Sequence, residues 1–324
     1  MSETRRSAEE ELQLRRERLR GLLGDLPEGG GGPVKAILLS TEEKDGFLLE
    51  TLLLDLNGME LVPAYVAKPL QKEGEQKSLP LVIYNHSHGG NYAVGRKELL
   101  VGSSYLQEPS FAKVLTGMGF AVCSIDMWGF NERGGKSESE LVKEMLWQGQ
   151  VLWGMMVFDT LRLIDYMAQR EDIDASRIGT IGMSMGGLMA WWAAALDERI
   201  KVIVDLCAQV EAGSLIAKRG LDHHGFYSYV PGLLKHFSTL DIQRLLVPRP
   251  RMSLVGRNDR LCPLEGVELL AERLSEAYKQ AGELDHWQPV IGSGGHMETA
   301  EMRAAWQPFL ARYLLGQTEQ TDNL

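Results

Sequence analysis

Six short, nearly continuous apolar runs punctuate the chain from Leu79 onward: LPLVIYN, GFAVCSI, RIGTIGM, KVIVDLC, RPRMSLVG and HWQPVIG. Runs of this texture suit strands covered on both faces, as in a parallel sheet shielded by crossover helices. Helical segments are predicted between and after them, over roughly 109–116, 139–168, 185–196, 263–281 and 299–315. Upstream of Leu79, β-like segments around 34–39, 47–54 and 60–67 predict an antiparallel start, with Asn57-Gly58 as the hairpin signal between the last two. Before these, residues from about Ser7 to Leu23 are rich in helix formers. Ser7 with Glu10 reads as a capping box, and Gly29 to Gly32 with Pro33 end the segment. Because charge surrounds its few leucines, this arm is expected to be a solvated helix, in preference to one folded over the body or holding a partner subunit.

The pattern predicts an α/β fold with a mostly parallel central sheet of about eight strands, an antiparallel N-terminal start and helices on both faces. Residues 1–32 read as a helical arm with a Gly-rich linker, and 33–324 as a single domain. The stretch at about 209–246, around LDHHGFYSYVPGLL, fits no strand-helix alternation. Inserted between two central strands, it would hang over the carboxyl edge of the sheet as a lid or pocket wall, with Phe226, Tyr227, Tyr229, His223 and His224 facing the pocket. Its alternative is a surface excursion with ordinary aromatic packing.

Composition narrows the function. The 324 residues are 44% hydrophobic and 24% charged, which excludes disorder as the main theme. The formal charge of -10 would repel a phosphate backbone, so no nucleic-acid partner is expected. Three cysteines, Cys123, Cys207 and Cys262, lack CxxC spacing, consistent with a reducing compartment. The N-terminus is charged throughout, and no window holds about 18 uninterrupted apolar residues. A cytoplasmic protein with no membrane partner is expected.

Gly182-Met183-Ser184-Met185-Gly186 matches G-x-S-x-G between an apolar run and the helical run LMAWWAAAL. In that setting the serine occupies a strained turn and the helix N-terminus aims amides at developing negative charge. A serine hydroxyl needs a base to take its proton and a third group to orient that base. Asp259 follows the run RMSLVG, and His296 follows the final run in Gly292-Ser293-Gly294-Gly295-His296, giving the chain order Ser, Asp, His. The rivals are a simple N-cap role for Ser184, Asp205 as the acid, and His286 or His236 as the base. Backbone amides of Met185 and of His88, the latter in the loop Asn85 to Asn91, are the candidate oxyanion donors. His86-x-His88 has metal-ligand spacing, but Gly90-Asn91 stand where metallohydrolases carry an Asp-His pair, so no metal site is expected. Asp126, Glu132 and Arg133 in DMWGFNERG read as a structural ion-pair cluster, and the Trp and Met groups, including Trp191, Trp192, Met155 and Met156, as core.

These motifs resemble the α/β-hydrolase superfamily, and within it the dienelactone-hydrolase-like and acetyl-xylan-esterase-like branch. The resemblance runs from about Leu79 to Leu315: the HxHGG-like loop at His86, the D-x-W-G-F-N-E-R-G loop at Asp126, DASRIGTIGMSMGG, the PRP-strand-G-x-x-D segment ending at Asp259, and the GGH turn at His296. It departs where many relatives place His-Gly, since Ser87 stands second here. Authentic dienelactone hydrolases use a cysteine nucleophile, where this chain has Ser184. The resemblance implies a serine carboxylesterase acting without a cofactor on small acyl or acetyl esters. The alternatives are a dienelactone-hydrolase-like enzyme; an oligopeptidase-like hydrolase, which usually carries a large additional domain for which this chain has no room; and a non-catalytic small-molecule binder on the same fold.

Overall fold

The computed structural model describes residues 2–28, 32–71 and 77–316. Its strands are β1 Lys35–Lys44, β2 Phe47–Asp55, β3 Val62–Pro69, β4 Leu79–Asn85, β5 Ala121–Ile125, β6 Ile173–Met183, β7 Ile200–Leu206, β8 Arg251–Gly256 and β9 Trp287–Gly292. They form one sheet of nine strands in the order β1-β2-β3-β5-β4-β6-β7-β8-β9. The sheet is antiparallel from β1 to the β3–β5 pair and parallel from there to β9. This is the α/β-hydrolase arrangement, with nine strands in place of about eight. Apolar runs with little alternation became strands covered on both sides: every residue of β5 and β8 is buried.

One face of the sheet is covered by the helices Leu152–Ala168 and Met185–Leu196, with Trp153 fully buried among them. The other is covered by Phe111–Gly117 and Ala300–Leu310, whose Phe111 and Trp306 stack at 5.3 Å. Two elements differ from the sequence reading. The β1–β2 hairpin turns at Asp45-Gly46, both in the left-handed region at φ 49° and 87°, as a tight turn between twisted strands requires. The helix predicted over 139–168 is two, Glu138–Trp147 and Leu152–Ala168, broken where Gly149 takes φ 78°.

The N-terminal arm fills that break, and the expectation of a solvated helix is overturned. The helix spans Ser2–Gly21, so Ser7 lies inside it and does not cap it. Leu19 and Leu23, four residues apart, are 0% and 1% exposed. Asp25 N donates to Gly149 O at 2.9 Å, and a Cβ on Gly154 would stand 2.0 Å from Leu23 O, so the chain crosses the helix where a side chain is missing. Arg16 donates to Ala195 O at 3.2 Å and Leu245 O at 3.3 Å and pairs with Glu198 at 2.9 Å. Its cation therefore sits at the negative C-terminal end of the helix Met185–Leu196. Arg16 and Leu19 on the helix, with Leu23 two residues past its end, outweigh the charge around them.

Leu19→Ala is expected to lower the unfolding free energy by about 2–4 kcal/mol in chemical denaturation. Leu14→Ala, at a side chain 64% exposed, should stay within about 0.5 kcal/mol of wild type.

Candidate active site

Ser184 stands between β6 and the helix Met185–Leu196 at φ 54°, ψ −117°. A non-glycine residue in that region costs about 1–3 kcal/mol, which the surroundings must impose. Ser184 N donates to Leu206 O at the end of β7 at 2.8 Å. A Cβ on Gly186 would stand 1.9 Å from Asn85 O, and one on Gly182 would stand 2.4 Å from the Gly186 carbonyl. The flanking glycines are thus space requirements of a helix start pressed onto the carboxyl end of β4.

Ser184 Oγ does not cap its helix; it lies 2.8 Å from His296 Nε2. His296 Nδ1 lies 2.8 Å from Asp259 Oδ2, and Asp259 Oδ1 accepts from Leu261 N at 2.9 Å. The Asp259 side chain is fully buried and that of His296 is 24% exposed. With Nδ1–H donating to the carboxylate, the Nε2 lone pair is turned toward the serine hydroxyl. The two loops are tied together, since Arg257 N and Asn258 N each donate, to Gly292 O and Gly294 O, at 2.9 Å.

The rivals lie elsewhere. Asp205 is buried in a pair with Arg251 at 2.8 Å and accepts from Ser253 Oγ at 2.7 Å. His286 donates to Pro248 O at 2.8 Å, and His236 bonds Arg18 at 2.7 Å. Asp126 pairs with Arg96, and Arg133 with Asp159 and Glu60 at 2.7 Å each, so the predicted ion-pair cluster draws partners from outside its motif. His86 is committed at both ring nitrogens: Nδ1 donates to Ser87 O at 2.9 Å and Nε2 accepts from Met127 N at 3.1 Å. His88 Nδ1 accepts from Gly90 N at 2.9 Å. The backbone thus takes three of the pair's four ring nitrogens, and the fourth, His88 Nε2, lies 3.4 Å from Tyr227 Oη. Among the described residues, Cys207, Asp259 and His296 bring ligand atoms within 4.8 Å of one another; His296 and Asp259 are bonded to each other there, and burial pushes the Cys207 thiol up.

Ser184 and His296 open into a cavity of about 260 Å³ that Ser87, His88 and Gly89 also line. Met185 is the first helical residue, so its amide has no partner within the helix. His223, His224 and Tyr227 line it as well, with Tyr227 Oη 3.4 Å from His88 Nε2, so residues of the 209–246 stretch do border the pocket. Two buried carboxylates missed in the sequence hold the loops. Glu98, 0% exposed, accepts from Tyr84 Oη at 2.7 Å, Ser87 N at 2.8 Å, Ser103 Oγ at 3.0 Å and Tyr105 Oη. Glu298, two residues after His296, accepts from Arg303 at 2.7 Å and Trp306 Nε1 at 2.8 Å, and its amide donates to Tyr105 O at 2.8 Å. The sequence carries no signal for Glu98, which follows Arg96 and Lys97 and reads as one more charged residue before Leu99, Leu100 and Val101.

A serine on a strand-to-helix elbow, bonded to an imidazole that is bonded to a carboxylate on this sheet, places the molecule among the serine hydrolases of the α/β-hydrolase fold. The chain belongs to the prolyl oligopeptidase family, whose model matches residues 109–317. It is 52% identical over 300 residues to the "Putative hydrolase YtaP" of Bacillus subtilis (strain 168), covering 93% of this chain and 99% of that relative. Two solved structures share the fold: a glucuronoyl esterase from Solibacter usitatus, with 15% identity, a TM-score of 0.66 and 91% of each chain covered, and an acetyl xylan esterase from Paenibacillus sp. R4, with 19% identity, a TM-score of 0.59 and 94% and 93% covered. No helix among the described residues is long and apolar enough to cross a membrane.

Burial, with His86 and His296 nearby, holds His88 down from 6.5 to about 4. Between those values the unfolded chain binds a proton that the folded one does not, so stability falls as pH drops from about 6.5 toward 4. His86, also lowered by burial, acts in the same direction. Denaturation midpoints measured across that range should fall less steeply in His88→Gln than in wild type.

Proposed function

We propose that the protein is a carboxylesterase cleaving short-chain acyl esters, and the observation that carries this is the continuous hydrogen-bond chain Ser184–His296–Asp259 at the cavity mouth. Ser184 Oγ attacks the ester carbonyl while His296 Nε2 takes its proton. The carbonyl oxygen becomes an oxyanion held by the amides of Met185 and His88. Asp259 keeps the imidazole oriented and stabilises the imidazolium. The C–O bond to the alcohol then breaks, His296 returns the proton to the leaving oxygen, and an acyl-serine forms. Water, deprotonated by His296, attacks the acyl-serine, the bond to Ser184 Oγ breaks, and His296 returns the proton to that oxygen as the carboxylic acid leaves. Every step uses the protein's own groups, with no cofactor required.

The small volume beside Ser184 favours short acyl groups, and the resemblance to acetyl-xylan-esterase-like enzymes points the same way. A cytoplasmic location fits the buried free thiols. Residues 209–246 act in this reading as a wall of the substrate pocket on a single catalytic domain. Membership of the prolyl oligopeptidase family favours a second reading, in which the leaving group is a peptide amine and the same residues act in the same order.

Aryl esters from acetyl to octanoyl, assayed beside a peptide anilide, separate the two. Wild type should prefer acetyl over octanoyl and turn over esters well ahead of the anilide, and Ser184→Ala should lower kcat by about 10³-fold or more. Asp259→Asn should lower it by about 10²–10⁴-fold. Equal, slow rates in wild type and Ser184→Ala would remove the nucleophile from this account, and faster anilide cleavage would favour the peptidase.

A further inference from the structure

Beyond His224 lies a second, larger cavity of about 450 Å³, bordered by Leu188, Trp191, Leu215, Tyr229 and Leu233. Its volume falls within the range of small-molecule sites, and its walls are mainly aliphatic and aromatic side chains. The mechanism above does not use it. Two features join it to the catalytic pocket. Leu188 stands one helical turn from the nucleophile, its amide donating to Ser184 O at 2.9 Å. His224 borders both cavities and is the partition between them.

The position of that partition decides which part of an ester faces the chamber. His224 Nε2 donates to Leu261 O at 3.0 Å, and Leu261 N in turn donates to Asp259 Oδ1 at 2.9 Å. His224 is therefore bonded into the Asp259–His296 side of the site. Because the imidazole that took the serine proton must deliver it to the leaving oxygen, the alcohol part of the ester sits on that same side. Burial holds the His224 imidazole below its ordinary value, so an apolar group crossing the partition meets no charge.

We propose that this chamber receives the alcohol part of the substrate, so that the natural esters join a short acyl group to a bulky apolar alcohol. The proposal rests on the esterase reading and adds the chemistry of the leaving group. Selectivity then has two opposite trends: the pocket beside Ser184 penalises long acyl chains, and the chamber rewards long alcohols by removing their methylenes from water.

The test compares acetates of straight-chain alcohols from ethanol to decanol with ethyl esters of acids from acetic to decanoic. For the acetates, kcat/KM should rise about two- to fourfold per methylene until the chamber is full; for the ethyl esters it should fall. A flat or falling acetate series overturns the proposal, and so does a rise confined to the acyl series. Ile216→Glu places a carboxylate at the chamber wall on a half-exposed residue that tolerates it. It should cut the ratio of decyl acetate to ethyl acetate kcat/KM at least tenfold; an unchanged ratio counts against the chamber.

A binding measurement keeps the two readings separable. In Ser184→Ala, 10-bromodecan-1-ol should quench tryptophan fluorescence saturably through Trp191 and Trp192, and Ile216→Glu should weaken that binding at least tenfold. Saturable quenching in a protein that hydrolyses no ester would support the chamber and sink the esterase. Ester turnover with neither quenching nor an alcohol trend would sink the chamber alone.

Discussion

The contact between the Gly186 backbone and the carbonyl of Asn85 sets the rest of the site. It presses the start of one helix onto the carboxyl end of β4 so closely that no side chain fits between them. Ser184 is left with no relaxed conformation and takes φ 54°. That turn lifts the hydroxyl out of the sheet and sets the first helical amide beside the loop that follows β4. The far end of the same helix is fastened with equal care. Arg16 donates to Ala195 O, and Arg249 donates to Ala194 O at 2.5 Å and Asp197 O at 3.0 Å, so two cations meet the helix's negative end. The N-terminal arm is therefore part of the mounting of Ser184, which lies 168 positions after Arg16 in the sequence.

Buried carboxylates divide the remaining labour by what they are bonded to. Asp205 faces a guanidinium and a hydroxyl between two strands and is spent on holding β7 to β8. Asp259 faces an imidazole and one backbone amide in a loop, and on the proposed mechanism it stabilises that imidazole when it takes the serine proton. Glu98 has four neutral donors and no cation in its hydrogen-bond set, which turns its charge into a tether for the Ser87 amide and the Tyr105 ring. Glu298 links the histidine loop to that same tyrosine segment. Ser184, His296 and the loop after β4 are positioned through neighbouring, hydrogen-bonded anchors.

The parallel half of the sheet and the three residues that meet at the cavity were legible because they obey local rules. Continuous apolar runs mark doubly covered strands, and G-x-S-x-G, a post-strand Asp and a Gly-rich His turn each announce a sharp chain reversal. What escaped depends on distant partners. The arm's charge pattern suggested solvation, yet Leu19, Leu23 and Arg16 meet partners that only the folded body supplies. The break at Gly149 is set by the arm's hydrogen bond to that residue, a contact across more than a hundred positions. Glu98 belongs to no motif, and its role comes from four side chains and amides assembled by the fold.

The central claim is that Ser184 is a nucleophile activated by its neighbours. A fluorophosphonate probe, followed by peptide mass spectrometry, reads this without any choice of substrate. The account predicts one adduct per chain, on Ser184, formed rapidly in wild type and far more slowly in His296→Ala. An unlabelled protein, or an adduct on another residue, would contradict it.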